Sequence, residues 1–294
     1  MTEQSAPPQA GSRLPMYGPV LLGATSFACA DVLMRFPLRD GAGVLTVSTL
    51  RGVLGLVMMW LWLALVKRPP ALTPAARWTS LAVGCLFTGN VFLLFKAIEQ
   101  VTVPVAILTY FVYPLLTGLA GAATGLDKLS WRGLAAAMVA FLGLALMIGA
   151  YPSGLANVGI LAALAAACCR VLMLLITRAR LGGVDPLMIT WYSMLASTVL
   201  FVAISLATLD WQPPATTAGW AALIALSFAV TGGILGVFAS TVRIGPFRTA
   251  LFMNLEPPLT TIGSALFLGE VITPVQAIGG AVMIAALVVF QLRR

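Results

Sequence analysis

Ten runs of mostly apolar residues follow one another along the chain. Each is about twenty residues long, the length a helix needs to cross the hydrocarbon core of a bilayer. They are roughly Met16–Arg35, Val44–Val66, Trp78–Ala97, Thr102–Thr124, Trp131–Gly149, Leu155–Thr177, Pro186–Thr208, Ala218–Val242, Phe247–Leu268 and Pro274–Leu292. The connectors are short and carry helix-stopping residues, among them Arg68-Pro69-Pro70, Tyr151-Pro152-Ser153-Gly154, Gln212-Pro213-Pro214 and Ile244-Gly245-Pro246. No stretch between the runs is long enough to form a soluble domain. Only 9% of the 294 residues are charged and 60% are hydrophobic, whereas a soluble domain carries about 25% charged residues. So few charges cannot cover a water-facing surface. A soluble enzyme is excluded, and an all-α polytopic membrane protein is expected.

The remaining charge is basic, 17 Lys and Arg against 9 Asp and Glu. With the N-terminus on the cytoplasmic side, that side holds Arg13, Lys67, Arg68, Arg77, Lys128, Arg132, Arg178, Arg180, Arg243, Arg248, Arg293 and Arg294. The opposite side holds Arg35, Arg39 and Lys96, while Arg51 and Arg170 fall within spans. A bias of 12 to 3 obeys the positive-inside rule, so both termini are read as cytoplasmic. Residues 1–15 are polar and rich in Pro, Gln and Ser, and read as a disordered tail. They lack a basic segment ahead of a short apolar core, so the first run reads as a retained helix rather than a cleaved signal.

The chain also repeats. Ala28-Cys29-Ala30-Asp31-Val32-Leu33-Met34 aligns with Ala167-Cys168-Cys169-Arg170-Val171-Leu172-Met173 at an offset of 139. At an offset of 143, Thr88-Gly89 meets Thr231-Gly232, Phe95 meets Phe238, Pro114 meets Pro257, Thr117 meets Thr260, and Asp127 meets Glu270. The order of these matches and their near-constant spacing divide the chain into halves, 16–150 and 151–294, of five spans each. Five is odd, so the second half is upside down relative to the first. Inverted repeats build secondary transporters, with the solute site near the midplane between the halves.

Leu255-Glu256-Pro257-Pro258, Phe267-Leu268-Gly269-Glu270, Gln276 and Gly279-Gly280 resemble the closing helices of an EamA domain. Such domains build the ten-helix carriers of the drug/metabolite transporter superfamily. Tyr113-Pro114 and Gly125-Leu126-Asp127 are similar in the first half, with Asp127 where the family usually has Glu, and Arg51 also fits the pattern. The resemblance runs from Met16 to Phe290. It implies a carrier fold, and within the superfamily the chain looks most like the YddG-type bacterial inner-membrane exporters of aromatic and other neutral amino acids.

Ionisable groups within spans are functional candidates because they are costly to bury in lipid. Asp31 and Arg170 occupy equivalent repeat positions with opposite charge, so they either pair or read the two ends of a zwitterion; the structural alternative is that each snorkels or pairs with a nearby helix end. Glu256, beside the double proline, is a candidate for a solute amine or a proton; the alternative is a partner in Arg243 or Arg248. Asn254, one turn before the double proline, is a milder candidate. Arg51 reads as a structural anchor. Asn90, Phe87, Phe92 and Phe95 in the third span, with Tyr110, Phe111 and Tyr113 in the fourth, suit a wall for a partly apolar ligand. Trp191 and Tyr192 read as packing or belt residues, and Gly118, Gly121, Gly143, Gly279 and Gly280 as points of close helix approach.

Histidine is absent. The four cysteines, Cys29, Cys85, Cys168 and Cys169, form no CxxC pair and read as buried free thiols. No metal, cofactor or nucleotide-binding loop is expected. No two acidic residues lie within four positions of each other, which argues against a lipid-modifying enzyme. The expectation is a monomeric secondary carrier with the bilayer and a small molecule as partners and no nucleic acid. The alternatives are a carrier of other metabolites or cationic drugs, and a lipid flippase or non-transporting scaffold.

Overall fold

The structure, a computed structural model, describes residues 14–65, 71–149, 157–209 and 211–292. Residues 1–13 of the expected tail and the boundary between the halves at 150–151 lie outside them. Every described element is helical: α1 (Leu14–Arg39), α2 (Val44–Leu65), α3 (Pro74–Gln100), α4 (Val103–Tyr110), α5 (Tyr113–Ala123), α6 (Trp131–Ile148), α7 (Asn157–Leu181), α8 (Pro186–Thr208), α9 (Thr217–Ile244), α10 (Pro246–Phe252), α11 (Glu256–Leu268) and α12 (Pro274–Leu292). Among the described residues, nine helical segments are long and apolar enough to cross a membrane, α4 and α5 together making one of them. The tenth span, residues 246–268, is α10 and α11 joined by a 3-10 turn at Met253–Leu255. The protein is a polytopic membrane protein of two five-span repeats.

Local chemistry sets the helix starts. The hydroxyls of Thr73, Ser130 and Thr216 accept from the N–H groups of Ala76, Gly133 and Gly219, and the Asp185 carboxylate accepts from Leu187 N–H. The two breaks also have a cause in sequence. Proline has no N–H and clashes with the preceding turn. Pro114 stands one residue into α5, and Pro257-Pro258 directly follow the first residue of α11. The first span runs four residues past its expected end at Arg35, so Arg35 belongs to the helix rather than to a loop.

The exterior is apolar: Trp60, Trp78, Trp131 and Leu266 are all more than half exposed. This places them against lipid. The expected burial of the cysteines is corrected here. Cys29, Cys85 and Cys168 are exposed and Cys169 is half-buried, because in a bilayer an apolar thiol need not hide from its solvent. The interior holds the hydroxyls instead. Buried Thr117, Thr177 and Thr241 each donate to the carbonyl four residues back. Thr88 reaches Ser197 at 3.0 Å, and Ser193 reaches the Ser80 carbonyl at 3.0 Å. These bonds satisfy groups that lipid cannot.

Contacts between the halves are symmetric. α1 packs on α9, and its counterpart α7 packs on α3; α2 packs on α8, and α6 on α12. At the α1–α9 crossing, Gly23 and Gly236 bring the backbones together so closely that a Cβ on Gly236 would lie 2.6 Å from the Pro19 carbonyl oxygen. The connectors obey the alternation of the spans. On one face Asp40 accepts from the N–H and hydroxyl of Thr216, and Arg35 pairs with Glu270. On the other face Asp127 accepts from Phe247 N–H, and Arg178 donates to the Val242 carbonyl.

Candidate functional site

The charged residues inside the spans come together at mid-depth. Asp31 lies eight residues before the end of α1, about 12 Å at 1.5 Å per residue, and Arg51 lies about 10 Å into α2 from the same face. Arg170 is midway along α7, and Glu256 stands at the break of the ninth span.

An acidic side forms around α1 and α11. The Thr260 hydroxyl donates to Asp31 Oδ2 at 3.0 Å. Arg51 and Arg35 lie within electrostatic reach of Asp31, and so does Glu256. By residue, Asp31 is exposed and Glu256 is half-buried.

A basic and aromatic side forms around α7 and the fourth span. Arg170 is 5% exposed. Its guanidinium carbon lies 5.8 Å from the Phe27 ring centroid and 5.7 Å from that of Tyr113, so an aromatic face borders it on both α1 and α5. The Tyr113 hydroxyl is within hydrogen-bonding reach. The buried Nε of Arg170 has no hydrogen-bond partner among the described residues, which leaves a strong donor unsatisfied. Tyr110, Phe111 and Tyr113 pack edge-on or tilted against one another with centroids 5.3 to 5.8 Å apart. Asn90 fixes this wall: its amide donates to the Ala166 carbonyl at 2.8 Å, and it lies within hydrogen-bonding reach of Tyr110.

Glu256 joins the two sides, being within electrostatic reach of both Asp31 and Arg170. Among the described residues Asp31 and Arg170 form no ion pair with each other, and Glu256 forms none with Arg243 or Arg248. Of the seven residues singled out from sequence, Asp31, Asn90, Tyr110, Tyr113, Arg170 and Glu256 share this cluster. Asn254 is buried on the 3-10 turn and makes no hydrogen bond or ion pair with the other six. Sequence reasoning passed over Phe27 and Thr260. Thr260 carries a usable signal, its repeat match with Thr117; Phe27 carries none. Among the described residues no group of three or more acidic or cysteine side chains is arranged to hold a metal.

Comparison with known proteins bears on both halves. The profile of the EamA-like transporter family matches residues 16–149 and again 157–291. No curated protein matches the chain. A solved crystal structure superimposes with a TM-score of 0.74 over 95% of this chain and 100% of its own, at 20% sequence identity. That likeness is one of fold.

Proposed function

Because the chain belongs to the EamA-like transporter family, membrane transporters of small solutes, we propose that its solutes are aromatic and other neutral amino acids. It exports them across a bacterial inner membrane by alternating access at the cluster around Glu256. The observation that carries this reading is the bipolar character of the cluster. Arg170 keeps an unsatisfied Nε–H and suits a solute carboxylate. Asp31 and Glu256 supply carboxylates for an ammonium group. Tyr110, Phe111, Tyr113 and Phe27 offer rings to an aromatic side chain at little entropic cost. A free amino acid presents these three features together.

Both termini are cytoplasmic on the 12-to-3 distribution of basic residues, and one chain holds both halves of the site, so a monomer suffices. The fourth and ninth spans, each broken by proline beside the cluster, are the points where the halves flex. Their closure on either face is kept by the Arg35–Glu270 pair and by the Asp127 cap on α10.

A second reading, carriage of organic cations, draws on the proximity of the two carboxylates Asp31 and Glu256. Proteoliposome uptake across a panel of labelled amino acids and organic cations separates the two. Uptake of phenylalanine, tryptophan or leucine supports amino acid carriage. Uptake of cations with none of the amino acids moved overturns it.

A further inference from the structure

On the outer surface of the bundle, away from the cluster, α6 packs against α12. Their backbones touch at Gly143 and Gly279, where a Cβ on Gly143 would lie 2.8 Å from the Gly279 carbonyl oxygen. The start of α6 and the end of α12 lie on one side of that contact, the face that also carries the start of α1. The space between them is a groove of about 840 Å³. Its floor is made of small side chains, Ala135, Ala136, Ala285 and Ala286, between Val139 and Val289. A cluster of Ala136, Ala137, Leu251, Leu287 and Phe247 lies beneath, closing it from the interior.

The groove has a length and a charged end. From Ser130 to Val139 it follows α6 for about 14 Å at 1.5 Å per residue, close to half of a hydrocarbon core of about 30 Å. It therefore spans one leaflet and stops where Gly143 meets Gly279. At its mouth stand Lys128 and Arg248 in a pocket that shares Ser130 and Phe290 with the groove, and Arg132 lines the groove itself. Asp127, which precedes Lys128, directs its carboxylate oxygens to the N–H groups of Lys128 and Phe247. Trp131, 76% exposed, stands at the same level as an interfacial aromatic. A cationic mouth at headgroup depth continuous with an apolar channel one leaflet deep is complementary to an anionic lipid.

We propose that this groove is a binding site for one anionic phospholipid of the leaflet on the side of the termini, its phosphate held by Lys128, Arg132 and Arg248 and an acyl chain lying over the alanines. The other candidate occupant is a second copy of the chain.

Native mass spectrometry of the full-length protein in detergent tests it, with phosphatidylglycerol and phosphatidylcholine offered in equal amounts. The wild type is expected to retain one phosphatidylglycerol per chain at least ten-fold over phosphatidylcholine. The variant K128Q/R132Q/R248Q is expected to level the two. Ala135→Trp combined with Ala285→Trp, which fills the groove from its rim, is expected to lower retention of both at least ten-fold. Thermal unfolding of each purified variant, measured alongside, shows that it is folded. Equal retention of the two lipids by the wild type overturns the proposal, as does retention untouched by the filled groove. A two-chain species that Ala285→Trp dissociates, with no lipid retained, also overturns it and assigns the face to self-association.

Discussion

Tyr113 and Glu256 stand 143 residues apart in the chain and at the same place in the fold. Each is the first residue of the second half-helix of a broken span, each is followed by proline, and both lie within reach of Arg170. The repeat has kept the position and changed the chemistry, a phenol in one half and a carboxylate in the other. The cluster owes its polarity to that divergence and to the matching one between Asp31 and Arg170.

The two positions respond differently to loss of their polar group. Glu256→Gln keeps the shape and removes the charge proposed to meet the solute amine. Initial uptake is expected to fall ten-fold or more. Tyr113→Phe keeps the ring beside Arg170 and loses one hydroxyl, worth about 1 kcal/mol, so uptake falls roughly five-fold. Rates measured in proteoliposomes at matched protein density check both.

Arg170→Lys preserves the charge but not the planar group bordered by Phe27 and Tyr113, and a compact ammonium cannot make the two-pronged contact with a carboxylate. The expected result is a rise of about ten-fold or more in KM, with the protein folded as judged by thermal unfolding. An unchanged KM contradicts a carboxylate-reading role for Arg170.

Arg35 and Glu270 are each close to 40% exposed, and exposed pairs contribute about 0–1 kcal/mol to stability. Glu270→Gln is therefore expected to leave the melting temperature within a few degrees of the wild type. If the pair closes one face of the carrier, the same substitution changes the turnover rate several-fold, and the swap R35E/E270R restores it. Solute counterflow measures this without interference from a driving gradient.

Gly236→Ala places its methyl 2.6 Å from the Pro19 carbonyl oxygen and 2.7 Å from Gly23 Cα. Both are backbone atoms, so α1 and α9 must separate, and overpacking of this kind costs about 1–3 kcal/mol. Gly18→Ala, on α1 with nothing within 4 Å of the new methyl, is expected to be neutral or slightly stabilising, since alanine favours helix by about 1 kcal/mol over glycine. Thermal unfolding of the two variants, side by side, gives the comparison.

Much of this was legible in the sequence for physical reasons. Apolar runs of span length have few alternatives in a chain so poor in charge, and the offsets of 139 and 143 pair Asp31 with Arg170 and Pro114 with Pro257 on sequence alone. Pairing in the repeat does not say which side chains meet. Asp31 turns to Thr260 and Arg51, and Arg170 to Tyr113 and Phe27, because helix rotation and crossing decide contacts that a linear offset does not carry. Arg51 reads as a structural anchor in the sequence, and which neighbour it meets, Asp31, is set by how α2 packs. Cys29, Cys85 and Cys168 lie on the outside because apolar means inside only in water, and the bilayer reverses that rule.

The central claim is that one site reads both ends of an amino acid. Competition against labelled phenylalanine uptake in proteoliposomes tests it directly, using unlabelled phenylalanine, phenethylamine and 3-phenylpropionate. The three share a ring and differ only in the charged groups they carry. Phenylalanine is expected to compete at least ten-fold better than either analogue, and Arg170→Gln to abolish the preference over phenethylamine while leaving that over 3-phenylpropionate. Equal competition by all three, or a preference that Arg170→Gln does not alter, would contradict it.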